Sequence, residues 1–442
     1  MTTTDQSGNP DSLKVSDDVA GEFEKATAYK LTDEDIERSR LLIGHDLGLR
    51  YEELYRVATP DAIRNWSRGM GDPNPLFTDD DYGSATRWGG QIAHGTMVGH
   101  VKTPMLGDPL PAEVKAGTKS VFRGIHVFVS GGSWEWYRPL FAGDRLYTFA
   151  GEESVTVKQS EFANRSVICV RRDVAINQRG EVVGVYRILR VLTERDTARK
   201  KGKYAELEPA TYTDDDYEKI DAIYAAEKPL GAEKRWWDDV TEGDELQPME
   251  KGPLTVTEII AVHAGGYGFV PYGLRASRLG YDNRKRIAPF YVKNAQGIYD
   301  VAQRLHWDSE WAKAIGNPMA YDYGVMRQCW FWHMLSDWMG DDAIVVKMDD
   351  SIRKFNYQGD TQFLTGKVTA KRIDADGRHV VDIEMHMVNQ RGTETAFGSG
   401  TVALPSKAKG LPVYPNVPAE LAEKAAQMFA RHHELSAKQQ SR

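Results

Sequence analysis

Cysteine is almost absent: Cys169 and Cys329 are the only two in 442 residues, each inside an apolar run. Two thiols exclude a disulfide framework and a thiolate zinc cluster, and they point to a reducing compartment, taken as the cytoplasm. Long apolar runs are lacking too. Nothing approaches the roughly 20 consecutive apolar residues that cross a bilayer, and mean hydropathy is −0.51. The opening MTTTDQSGNPDSLKVSDD has neither the basic nor the apolar segment of a secretory leader. Positive charge is in short supply: 56 Lys and Arg face 64 Asp and Glu, a net charge of −8. A broad nucleic-acid surface is therefore not expected. No phosphate loop, dinucleotide fingerprint or metal-ligand spacing is found, so neither cofactor nor metal is expected. What is present is 41% hydrophobic residues, material for substantial cores in two or three domains at about 150 residues each.

Two landmarks recur. Tyr137-Arg-Pro-Leu-Phe-Ala-Gly-Asp144 is matched by Ile352-Arg-Lys-Phe-Asn-Tyr-Gln-Gly-Asp360, and Asn177-Gln-Arg-Gly180 returns as Asn389-Gln-Arg-Gly392. Both recur in the same order at nearly one offset, inside alternating apolar and polar runs, so the chain reads as a duplication. Each half offers an apolar helical stretch, Thr96–Leu106 and Val325–Trp338. Strand patterns follow: Ser120–Ser130, Ser154–Lys158, Ser166–Val174 and Val182–Leu192, then Ala343–Met348, Gln362–Lys371, His379–Val388 and Thr395–Leu404. The Asn-Gln-Arg-Gly segments and Asp376-Gly377 read as hairpin turns. The expected fold class is α+β, one helix wrapped by an antiparallel sheet, twice. The parts are a disordered tail 1–35, a first unit 36–195, a linker 196–240, a second unit 241–405 and a tail 406–442. The linker carries a helix capped by Thr213-Asp-Asp-Asp216 and stopped at Pro229, and the last tail an amphipathic helix over 418–436.

The chemistry-bearing stretch is Gly71-Asp72-Pro73-Asn74-Pro75-Leu76-Phe77 with Asp79, followed by His94-Gly95 at the start of the first apolar stretch. Here the chain resembles the MaoC-like (R)-specific enoyl-CoA hydratases, in their double hot-dog form, over most of 40–405. Their motif is Gly-Asp-x-Asn-Pro-aliphatic-His, and the resemblance implies two tandem hot-dog units. It also implies roles for Asp72, Asn74, His94 and Gly95, the last as an oxyanion site. One departure is decisive for chemistry: the family's catalytic histidine falls on Phe77, which cannot move a proton. The first half is therefore expected to serve as scaffold.

The second half offers His306-Trp-Asp308, with Asp300 upstream and Tyr323-Gly324 in the place of His94-Gly95. The resemblance makes His306 the acid/base, with Asp300 and Asp308 its carboxylate candidates and Gly324 the oxyanion site. Asp308 also suits the N-cap of a short helix over Ser309–Ile315, and Asp322 the cap of the next helix. A strand is expected near Thr255–Ala261, and an insertion of about 30 residues separates it from His306. Within that insertion Arg275, Arg278, Arg284, Lys285 and Arg286 form a candidate cradle for coenzyme A phosphates.

A water-addition reaction on an α,β-unsaturated thioester needs a base for water, a proton for Cα and a donor to the thioester oxygen. The reading is an enoyl-CoA hydratase, or 3-hydroxyacyl-CoA dehydratase in reverse, acting on an acyl-CoA as a homodimer or with another hot-dog subunit. Two alternatives share the fold: a non-catalytic subunit building an acyl tunnel, and a thioesterase.

Overall fold

The computed structural model describes residues 30–122, 125–160, 164–193, 207–268, 274–294, 296–314 and 317–441. Most of the expected tail 1–35 and the start of the linker lie outside these residues. Ten strands form one antiparallel sheet. Its first-unit strands are β1 (Leu47–Gly48), β2 (His126–Trp136), β3 (Leu146–Ser160), β4 (Asn164–Asn177) and β5 (Val182–Thr193). The second unit adds β6 (Met249–Lys251), a separate hairpin β7 (Tyr291–Lys293) and β8 (Tyr299–Val301), then β9 (Ile344–Ile352), β10 (Gln362–Ile373), β11 (His379–Asn389) and β12 (Glu394–Ala403). The order β1-β3-β4-β5-β2-β9-β12-β11-β10-β6 is a palindrome of the two units, joined where β2 pairs with β9. The fold is the double hot-dog, α+β as expected.

The repeated landmarks have one physical cause. In the first unit, Asp144 accepts the Phe141 amide at 3.1 Å and is bound by Gln178 at 3.0 Å and Arg179 at 3.2 Å. In the second, Asp360 accepts the Tyr357 amide at 3.1 Å and is bound by Gln390 at 2.8 Å and by Arg391. Asn177 and Asn389 cap the two turns alike, each accepting the arginine amide at 3.0 Å. Each Gly-Asp loop is thus tied to its Asn-Gln-Arg-Gly turn by the same network.

Helices α1 (Pro60–Gly69) and α2 (Asp214–Ala226) are among those that precede the second unit, in which α3 (Val256–Ala264) follows β6. Helix α2 has the Thr213/Asp216 capping box expected of the linker. Helix α3 replaces the strand expected over Thr255–Ala261. Thr255 and Glu258 form a reciprocal capping box, and that local signal outweighs the β-branched run. Helices α1 and α3 are counterparts: both have a threonine N-cap, and they cross at glycines. A Cβ on Gly69 would lie 2.9 Å from the Gly265 Cα and 2.8 Å from the Ala261 carbonyl oxygen. One on Gly265 would lie 3.1 Å from the Gly69 Cα and 2.9 Å from the Asn65 carbonyl oxygen.

Further elements are α4 (Ser277–Arg286), α5 (Ser309–Ala314), α6 (Gly324–Met339) and α7 (Ala419–Gln440). Helix α6 is the centre of the molecule. Every residue after Gly324 is buried, and it packs on β2, β9, β10 and β12 as well as on the first unit's Gly95–Gly99 turn. Its aromatic and aliphatic residues fall on every face, as in a core helix, and its few polar side chains are buried with them. The expected first-half helix Thr96–Leu106 is a correction. Only a 3-10 turn, Gly95–Gly99, forms there, and the chain then runs extended, with Val101 and Thr103 bridging Tyr55 and Tyr147. Gly99 and the restriction that Pro104 places on Thr103 work against a longer helix. The expected strand Ser120–Ser130 begins only at His126. Helix α7 docks on the first unit through Ala425, Met428 and Phe429, and His432 Nδ1 accepts the Leu106 amide at 2.9 Å. Among the described residues no helix is long and apolar enough to cross a membrane.

Candidate active site

Asp72 is placed by the end of α1. Gly71 takes φ +76°, a left-handed turn that suits glycine. The Asp72 amide then donates to the Ser67 carbonyl at 3.0 Å, and the Ser67 hydroxyl to the Asp72 carbonyl at 2.9 Å. Asp72 Oδ1 accepts the Asn74 amide at 2.9 Å, and Asn74 Oδ1 the Leu76 amide at 3.0 Å. The Asp-Pro-Asn-Pro turn is thereby rigid, and Asp72 Oδ2 has no hydrogen-bond partner among the described residues.

Two imidazoles face this carboxylate. His94 Nε2 is 3.7 Å from Oδ2 and His333 Nε2 is 3.5 Å from Oδ1. His94 Nδ1 accepts from the Thr96 amide at 3.4 Å and lies 2.8 Å from its hydroxyl. A neutral ring with Nδ1 accepting carries its proton on Nε2, aimed at Asp72. His333 Nε2 also lies 3.2 Å from Asp337 Oδ2 and 3.6 Å from Glu227 Oε1. Lys251 stands at the edge, 3.3 Å from Glu227 Oε1. Burial dominates the electrostatics. It raises Asp72 to about 6 and Asp337 to about 7, and lowers His333 to about 4. It also drops His94 well below the usual imidazole range. The bidirectional shifts leave neighbouring carboxyl and imidazole groups able to exchange protons under mild conditions.

Two hollows adjoin the cluster. One is apolar, lined by Leu76, Phe77, Trp88, Trp136 and Trp332, and has Asn74 and Ser336 in its wall. The other lies between the linker and α6, lined by Glu227, Lys228, Arg235, Gln247, Met334 and Asp337.

The structure thus brings Asp72, Asn74, His94 and Gly95 together and adds His333, Asp337, Glu227 and Lys251, which sequence reasoning missed. His333 and Asp337 sit in helix α6, which is buried on every side, so no exposed polar face marks them, and they meet Asp72 only through the fold. Phe77 packs edge-on to His94, ring centroids 5.8 Å apart.

The second-half residues are dispersed. His306 Nδ1 donates to the Tyr321 carbonyl at 2.8 Å, and its ring lies on Tyr323 at 3.8 Å. Burial lowers His306 to about 3, and no carboxylate among the described residues pairs with it. Asp300 accepts the Val301 amide at 2.7 Å in the β7–β8 hairpin. Asp308 caps α5, accepting the Trp311 amide at 3.0 Å, and pairs with Arg304 at 3.2 Å. Asp322 is bound in both its oxygens by Arg327, each at 2.8 Å. Gly324 opens α6, next to the Tyr323 that covers His306. Of the cradle residues, Arg278, Arg284, Lys285 and Arg286 lie on the surface helix α4 and Arg275 just before it. Arg278 is paired with Asp282 at 3.1 Å, and Arg284 stacks over Tyr299 at 4.8 Å.

Residues 45–185 match the family model described as FAS1-like, dehydratase domain region. No curated protein matches the sequence. Among solved structures, a MaoC-like dehydratase is 16% identical, with a TM-score of 0.53 over 83% of this chain and 99% of its own. A MaoC-like dehydratase from Phytophthora capsici is 10% identical (84% of this chain, 98% of its own, TM-score 0.46). A putative MaoC domain dehydratase from Chloroflexus aurantiacus is 12% identical (83% and 96%, TM-score 0.42). The stretch that matches this dehydratase-region family contains Asp72, Asn74 and His94, and the chain as a whole has the double hot-dog fold shared with the MaoC-like dehydratase structure.

Proposed function

We propose that the protein is a hydro-lyase, adding or removing water across the α,β double bond of an acyl-CoA thioester, at a site shared between the two units. The observation that carries this reading is the buried Asp72 carboxylate facing His333 of α6 at 3.5 Å. His333 replaces, from the other unit, the imidazole lost at Phe77. In hydration, Asp72 takes a proton from water as its oxygen adds to Cβ. The proton shared by His333 and Asp337, 3.2 Å apart, goes to Cα, and exchange within the cluster restores the starting state. A positioned acid and base of this kind contribute about 10²–10⁴ in rate. The acyl chain would occupy the apolar hollow beside Phe77 and Trp332. The polar arm of coenzyme A would run past Lys228 and Arg235, which line the second hollow.

One observation favours a second reading, a non-catalytic subunit that supplies an acyl tunnel to a catalytic hot-dog partner. The Trp332 ring fills the space over Gly95, where a Cβ would lie 2.3 Å from it. The readings separate in one assay on the purified chain with a panel of enoyl-CoAs. Loss of enone absorbance without thiol release supports the hydro-lyase, and thiol release supports a thioesterase. Neither signal, until a partner is added, supports the tunnel subunit.

A further inference from the structure

The Asp72 cluster has a second property that proton transfer does not require. Three donor atoms from two units, Asp72, His333 and Asp337, offer one ligand atom each within 4.8 Å of one another, all in buried residues. His333 Nε2 sits 3.5 Å from Asp72 Oδ1 and 3.2 Å from Asp337 Oδ2. Hydrogen bonds between nitrogen and oxygen run at about 2.7–3.2 Å, so the first separation is too long for one and the second is at the limit. Neither ring nitrogen of His333 and neither carboxylate oxygen of Asp337 has a hydrogen-bond partner among the described residues. Zinc holds nitrogen and oxygen ligands at about 2.0–2.2 Å in a tetrahedron, which sets neighbouring ligand atoms about 3.3–3.6 Å apart.

Charge gives the same answer. Lys251 is engaged with Glu227, at 3.3 and 3.4 Å from its two oxygens, and Lys251 reaches the cluster from the rim. Asp72 and Asp337 then place two buried carboxyl groups beside the buried His333 imidazole. Buried charges are paired or coordinate a metal. The Asn74 amide on Asp72 Oδ1 fixes the orientation of one ligand, as outer contacts do in metal sites. The hollow lined by Glu227 and Asp337 provides the entry path.

We propose that Asp72, His333 and Asp337 bind one divalent transition ion of the zinc class, with the fourth position open and Glu227 as the outer carboxylate, 3.6 Å from His333 Nε2. One imidazole with two carboxylates suits zinc, manganese or cobalt rather than a thiolate-seeking ion. Because the ion would occupy the same oxygen and nitrogen atoms that carry protons in the proposed reaction, it would compete with turnover. The inference shares residues with that reading, but binding does not depend on it.

The test uses the full chain stripped with a chelator and titrated with Zn²⁺ by calorimetry, with Co²⁺ absorption as a second readout of coordination. The expected result is one ion per chain and a visible cobalt band of four-coordinate type. Asp337→Asn, nearly isosteric, and His333→Ala should each weaken binding at least about tenfold. His386→Ala, which removes the surface imidazole paired with Glu394, should leave it unchanged. Absence of a bound ion, or binding untouched by Asp337→Asn in a folded protein, overturns the proposal. Enoyl-CoA hydration is measured separately. A chain that binds zinc but shows no hydration when stripped of metal upholds the metal site and refutes the hydro-lyase reading; a chain that hydrates without binding zinc does the reverse.

Discussion

The carboxylate of Asp72 and the imidazole of His333 come from opposite halves of the chain and lie 3.5 Å apart, both side chains 1% exposed or less. This contact changes which histidine should matter. His306 is held by the Tyr321 carbonyl and covered by Tyr323, so its role is to brace the start of α6. His306→Ala should lower the unfolding free energy by about 1–3 kcal/mol while changing turnover less than about tenfold. Paired denaturation curves and steady-state rates decide this; a turnover loss without a stability loss would restore His306 to the chemistry.

The crossing of α1 and α3 predicts a steric effect of glycine replacement. Gly265→Ala adds a Cβ 2.9 Å from the Asn65 carbonyl oxygen, and Gly69→Ala one 2.8 Å from that of Ala261. Each should destabilise by about 1–3 kcal/mol, the usual cost of overpacking. Because Asp72 follows α1, turnover should fall with Gly69→Ala. Unchanged melting temperatures for both variants would contradict the packing.

The paired loop networks predict unequal costs at equivalent positions. Asp360 is fully buried with Arg391 27% exposed, whereas Arg179 beside Asp144 is 53% exposed. Removing the aspartate strands a less solvated arginine in the second unit. Asp360→Ala should therefore cost about 3 kcal/mol, and Asp144→Ala less, as read by urea midpoints.

Asp350 makes stability depend on pH. It sits on β9 at the junction of the units, where burial raises it to about 7; Gln328 donates to it at 2.9 Å. Tyr186, Arg327, Cys329 and Asp349 are the titratable groups that face it. Its folded pKa exceeds its unfolded one, so the carboxyl carries no penalty below about pH 4 and an increasing one as pH rises to about 7. Asp350→Asn should be more stable than the parent at pH 8, with the gap closing by pH 4. A gap independent of pH would show that Asp350 ionises freely.

Much of the fold could be read before the structure because the duplicated Gly-Asp and Asn-Gln-Arg-Gly segments are where each unit ties a loop to a hairpin, and such networks constrain residue identity. The α1–α3 repeat was not legible: it retains a capping threonine and a crossing glycine, too little for a pattern, and the β-branched residues after Thr255 read as strand. Asp72 was visible through its motif, but its partner was not. His333 and Asp337 lie on a helix buried on every side, so periodicity offers no polar face to notice. Phe77 stands where the resemblance puts a histidine, and it packs on His94. The sequence could not show that the second unit's helix delivers another to the same carboxylate.

The most direct test of the shared site is a double-mutant cycle on enoyl-CoA hydration with Asp72→Asn and His333→Gln, both near-isosteric. If the two groups act as one unit, each single variant should lose about 10²–10⁴ in kcat, and the double variant should lose little more than either alone. Single variants within about threefold of the parent, or losses that multiply, would contradict a catalytic pairing of Asp72 with His333.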